Sequence, residues 1–120
     1  MSFTLRNITA VGVFAEIATG MGLFLVPSTL STYLLGISGD DSFMLICRFF
    51  GISLMALGIA CWRSERGSPG FLALLAYNVS AALYIAYVGL FLTNAPLLWP
   101  AVGFHFVMSI FLIRAWRIGC

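Results

Sequence analysis

Between Phe43 and Trp62 the chain carries one charged residue, Arg48, in an otherwise apolar run with glycines at 51 and 58 and a closing tryptophan. Coiled as a helix at about 1.5 Å per residue, a run of this length matches the ~30 Å hydrocarbon thickness of a bilayer. Three more runs share its character: Ile8 to Val26, Pro69 to Leu92 and Pro96 to Ile113. Soluble domains have about a quarter of their residues charged, whereas here the figure is 8%, with 62% hydrophobic, over 120 residues. In lipid each spanning segment must satisfy its own backbone groups, which a helix does. The expectation is therefore an all-α integral membrane four-helix bundle, one membrane domain over residues 1–120, with the lipid bilayer as its solvent. The first run follows a single arginine, Arg6, and lacks a small-x-small cleavage site. It is long enough to span, so it reads as a retained helix and not a signal peptide.

The segments between the runs carry recognisable punctuation. After Pro27, Ser28 to Gly36 places Leu30, Tyr33 and Leu34 on one face, with Ser28 as a cap and Gly36 as a stop; this predicts a short helix lying in the interface. Gly39-Asp40-Asp41-Ser42 is a polar turn that offers caps for the second span. Ser68-Pro69 opens the third span with a capping serine and a proline at the first helical position. Thr93-Asn94-Ala95-Pro96 repeats that pattern before the fourth, and Pro100 falls in the first turn or so, where a missing N–H costs little.

All six basic residues are arginine, and the net charge of +2 is too small to argue for nucleic acid. Arg6, Arg63, Arg66, Arg114 and Arg117 flank the N terminus, the middle loop and the C terminus, whereas the other two loops contain no arginine. The positive-inside rule then predicts a multi-pass protein of the cell inner membrane with both termini cytoplasmic. Trp62 and Trp116 would lie at the inner interface and Trp99 at the outer one.

Four polar residues fall inside the spans: Glu16, Arg48, Asn78 and His105. Ionisable groups at such depth cost ~2.5–3.5 kcal/mol on insertion scales and usually face the bundle interior. Glu16 shares a stripe with Gly12 and Gly20, each four residues away, the small-residue spacing that lets helices approach closely. It is either a proton- or cation-binding carboxylate or part of a buried structural contact. Arg48 shares a face with Gly51, Met55 and Gly58, and two partners suit it: Glu16 below, or the acidic turn above, Asp40 and Asp41, reached by snorkelling. His105 lies between Ala101 and Ser109 on one stripe of the last span. A haem or metal ligand is conceivable there, but no second histidine exists, and a hydrogen-bonded role is expected. Asn78 reads as interhelical glue, and Tyr77, Tyr84 and Tyr87 as core. Of the three cysteines, Cys47 and Cys61 sit in apolar runs and read as small buried hydrophobes. With no CxxC, HExxH, phosphate loop or Ser/His/Asp grouping, neither metal, cofactor nor enzyme activity is expected.

The second run, Arg48-x-x-Gly51 with Leu54, Leu57, Gly58 and the closing Trp62, resembles the second helix of small DoxX-like four-helix bacterial membrane proteins. Four spans, an interfacial stretch after the first and arginine-flanked cytoplasmic ends are similar too. The resemblance implies the fold; the family's naming ties some members to respiratory or quinone-linked complexes, and most have no assigned activity. Phe14-Ala15-Glu16-Ile17 is similar to the first helix of small multidrug resistance transporters, where an Ala-Glu pair supplies the carboxylate for proton and drug. The third span here lacks that family's glycine- and tryptophan-bearing motif. The expected function is an accessory or structural subunit that assembles with itself or with a larger membrane complex. The alternative is a proton-coupled carrier or channel that uses Glu16 and takes a small hydrophobic or cationic ligand.

Overall fold

The computed structural model of the protein describes residues 3–118; Cys120 lies outside them. The described residues form five helices: α1 (Phe3–Leu25), α2 (Pro27–Leu35), α3 (Asp41–Cys61), α4 (Pro69–Phe91) and α5 (Leu98–Ile118). α1, α3, α4 and α5 are each long and apolar enough to cross a membrane, the build of a multi-pass membrane protein. The long axis measures 45 Å, close to the ~40–45 Å of a bilayer with its headgroups.

Local chemistry sets most of the helix ends. Asp40 caps α3, its carboxylate accepting the Phe43 N–H at 3.0 Å, and Ser68 caps α4 by accepting from Phe71 at 3.3 Å, with Pro69 next in line. Gly36 closes α2 in the left-handed conformation, φ 67°, with its N–H directed to the Ser31 and Thr32 carbonyls. Two starts differ from the sequence reading. Ser28 does not cap α2. Val26 holds that place without a side-chain bond, because the residue before a proline is pushed out of the helical region, and the Ser28 carbonyl instead accepts from the Ser31 and Thr32 hydroxyls. α5 starts at Leu98, not Pro96. The Leu98 N–H bonds the Ala95 carbonyl across a turn that contains Pro96, and Leu97 donates to the Tyr33 carbonyl at 2.9 Å while its own carbonyl accepts the first helical bond, from Ala101. Pro100 thus lies in the first turn of α5, where no partner for its nitrogen is needed.

α1 packs most closely on α3, and α4 on α5. The α1–α3 seam is backbone against backbone: a Cβ on Gly51 would stand 2.5 Å from the Gly20 carbonyl oxygen, and one on Gly20 would stand 2.5 Å from that of Gly51. Gly58 lies against Ile17 and the Val13 carbonyl in the same seam. A second apolar cluster joins Leu5 of α1, Cys61 of α3, Phe71 and Leu74 of α4, and Leu112 and Ala115 of α5. These come from the start of α1 and α4 and the end of α3 and α5, so both described chain ends and the loop after α3 share one end of the bundle. The Leu97–Tyr33 bond ties α2 to the start of α5 at the other. Large apolar side chains such as Phe14, Phe49, Ile59, Leu83 and Phe91 face outward, as the lipid-facing surface of such a bundle requires.

Candidate functional site: a polar line through the bundle

Polar side chains from three helices meet inside the bundle. Glu16 on α1, Tyr77 and Asn78 on α4, and His105 on α5 each lie within about one turn of the middle of their helix. Asn78 is fully buried, and its amide Nδ2 donates to the Leu74 carbonyl one turn back at 2.8 Å. A carbonyl can only accept, so this bond orients the amide with Oδ1 toward α5. Oδ1 lies 2.9 Å from His105 Nδ1. Because that oxygen also accepts, the imidazole donates from Nδ1, and in a neutral ring Nε2 would then be the acceptor. The His105 ring meets Tyr77 edge-on, with centroids 5.7 Å apart at 80°, and is flanked in the same way by Phe104. Its backbone carbonyl accepts the Ser109 hydroxyl at 2.7 Å.

Glu16 is 2% exposed, and its Oε1 has no hydrogen-bond partner. The Tyr77 side chain of α4 lies beside the carboxylate. Tyr77 and Asn78 are neighbours in sequence and so point about 100° apart on α4; one turns to α1 and the other to α5. The result is a continuous run of groups, Glu16–Tyr77–His105–Asn78, that bridges the α1/α3 pair to the α4/α5 pair. The glycines flanking Glu16 serve two seams. Gly12 faces Leu74 and Met108, and Gly20 faces α3.

Arg48 is not part of this site. The buried stripe of α3 is Cys47, Gly51, Leu54, Gly58 and Cys61, stepping by four and three. Arg48 lies about 100° round from Cys47, exposed beside Phe49 and Ile52. Of the face expected from Arg48, Gly51, Met55 and Gly58, the last three do pack against α1, whereas the arginine points outward and, among the described residues, forms an ion pair with neither Glu16, Asp40 nor Asp41. Asp40 is used as the cap of α3, and Asp41 lies exposed in its first turn, where a negative charge suits the helix dipole.

Tyr77 is the group that sequence reasoning misses. The pattern along α4 groups it with Tyr84 and Tyr87, which are exposed and stack on one another, with Phe91 tilted against Tyr87, on the outer face. The available signal is adjacency to Asn78, which fixes where Tyr77 points once Asn78 is known to be buried. Among the described residues no three His, Cys, Asp or Glu side chains come together as metal ligands. Cys61 is buried and donates its Sγ–H to the Gly70 carbonyl at 3.1 Å.

Comparison with protein-family models, with curated proteins and with solved structures finds no match to this chain. The geometry alone has to carry the function.

Proposed function

We propose that this is an accessory or structural membrane protein, multi-pass in the inner membrane with both termini cytoplasmic and DoxX-like in plan. In this reading it assembles with itself or with a larger complex and has no catalytic activity of its own. The observation that carries the reading is that buried polar side chains meet between helices. Asn78 and His105 bond across α4 and α5, and Glu16 of α1 lies beside Tyr77 of α4. Interhelical bonds of this kind hold bundles together, at about 0.6 kcal/mol each on average. The outward Arg48 supports assembly as well, since a charge among lipid-facing side chains is costly until a partner or a headgroup neutralises it.

A second reading rests on one specific observation, the free Oε1 of Glu16. A buried carboxylate with no cation beside it, next to a tyrosine whose ring meets an imidazole, is the arrangement a proton-coupled carrier of small hydrophobic or cationic ligands needs. Native mass spectrometry after mild extraction tests the first reading: a self-assembly or a complex with further subunits is expected, and a bare monomer under conditions that preserve other complexes would refute it. Glu16→Gln separates the two. Proton flux into proteoliposomes under a potential should be the same for wild type and variant if the carboxylate is structural. Flux present in wild type and lost in a well-folded Glu16→Gln protein would establish the carrier instead.

A further inference from the structure

Arg63 is the one non-glycine residue with a positive φ among the described residues, at 56°. Glycine adopts this left-handed conformation freely, and a residue with a Cβ does not. The same loop uses a glycine at its other left-handed position, Gly67, φ 77°, where a Cβ would meet nothing within 4 Å. At position 63 the chain keeps a long cationic side chain in a backbone state that favours none.

That backbone places Arg63 just past the end of α3, at the rim of a groove of about 250 Å³ between this corner and the first turns of α1. Arg6, Asn7, Thr9, Ala10, Trp62 and Arg63 line it. Thr9 forms the floor; it is buried, and its hydroxyl is turned onto the Leu5 and Arg6 carbonyls. Two arginines, an asparagine and a tryptophan are among these residues, and none of the described lining residues is acidic. Glu65, the acidic residue of this loop, does not line the groove. Paired arginines without an acidic neighbour in the lining suit an anion with several acceptor oxygens, since arginine forks match phosphate oxygens in pairs. The groove opens at the end of a spanning helix pair, beside a tryptophan, the depth at which headgroup phosphates lie.

We propose that the Arg6–Trp62–Arg63 groove binds a phosphate group, supplied by the headgroup of an anionic phospholipid. Basic pockets between spanning helices take such headgroups. Soluble phosphate esters share the chemistry and differ in source. The proposal goes beyond the assembly role and does not depend on whether Glu16 carries protons.

The test uses the full-length protein in detergent with phosphatidylglycerol, phosphatidylcholine or glycerol 3-phosphate added, read by native mass spectrometry and by melting temperature. Phosphatidylglycerol should remain bound and raise the melting temperature, and phosphatidylcholine should do neither. Arg63→Gly should melt at or above wild type without lipid, because glycine relieves the left-handed backbone. It should bind phosphatidylglycerol about fivefold more weakly. Arg66→Gln removes a charge from the same loop outside the groove and should weaken binding less than about twofold. If Arg63→Gly lowers the lipid-free melting temperature, Arg63→Gln provides the same comparison. Undiminished binding by either Arg63 variant would overturn the site, as would equal losses at positions 63 and 66 or an equal response to phosphatidylcholine. Stabilisation by glycerol 3-phosphate and not by phosphatidylglycerol would overturn the lipid as the source.

Discussion

Gly51→Ala tests the α1–α3 seam at its tightest point. The new methyl would stand 2.5 Å from the Gly20 carbonyl oxygen, 3.0 Å from the Phe24 nitrogen and 3.2 Å from Leu23 Cβ. The first two are backbone atoms that no rotamer change can move. Reaching ordinary separation at about 3.4 Å requires the helices to part by roughly 3.4 − 2.5 = 0.9 Å near this crossing, loosening the seam on both sides. Overpacking of this kind costs about 1–3 kcal/mol. Gly103 on α5 provides the control, since a Cβ there meets nothing within 4 Å. Gly103→Ala should be neutral or should gain up to about 1 kcal/mol from helix propensity. Unfolding by SDS in mixed micelles, followed by far-UV circular dichroism, gives both free energies. Gly20→Ala combined with Gly51→Ala should cost less than the sum of the two, because the first methyl already separates the backbones. If Gly51→Ala were as stable as Gly103→Ala, the close backbone approach of α1 to α3 would not exist in the membrane.

Two further outcomes follow from the polar geometry. A double-mutant cycle on Asn78→Ala and His105→Ala should give a coupling of about 0.6 kcal/mol, and up to ~1.7, in the same unfolding assay; zero coupling would mean that the two side chains do not bond. Ser68→Ala removes the acceptor for the Phe71 N–H and should cost about 1 kcal/mol. Hydrogen exchange should show faster amide exchange confined to the first turn of α4, and unchanged protection at Phe71 would contradict the cap.

Asp40 and Ser68 show how much was legible locally. Each carries its own acceptor to the start of its helix, so the residue type alone announces the boundary, and Gly36 announces its stop in the same way. Ser28 and Pro96 misled because the deciding partner lay elsewhere. Pro27 imposes its restriction on Val26, and the Leu97 amide is taken by the Tyr33 carbonyl of α2. Arg48 misled for a geometric reason. Gly51, Met55 and Gly58 do meet α1, but Arg48 falls at the edge of that stripe, and nothing within α3 says whether the edge is covered.

By itself the sequence determined the solvent and the units. Long runs nearly free of charge have nowhere stable to be except lipid, and lipid admits only segments that satisfy their own backbone. Four apolar helices long enough to span, the caps of α3 and α4 and the short helix after Pro27 follow from these local rules. Which faces meet was decided only by the tertiary structure, because in an apolar environment every lipid-like side is equally acceptable and hydrophobicity no longer separates inside from outside. Close glycine packing between α1 and α3 made that choice. It turned Arg48 outward and left Glu16 facing Tyr77 across the bundle, without the cation that its place in the sequence had suggested.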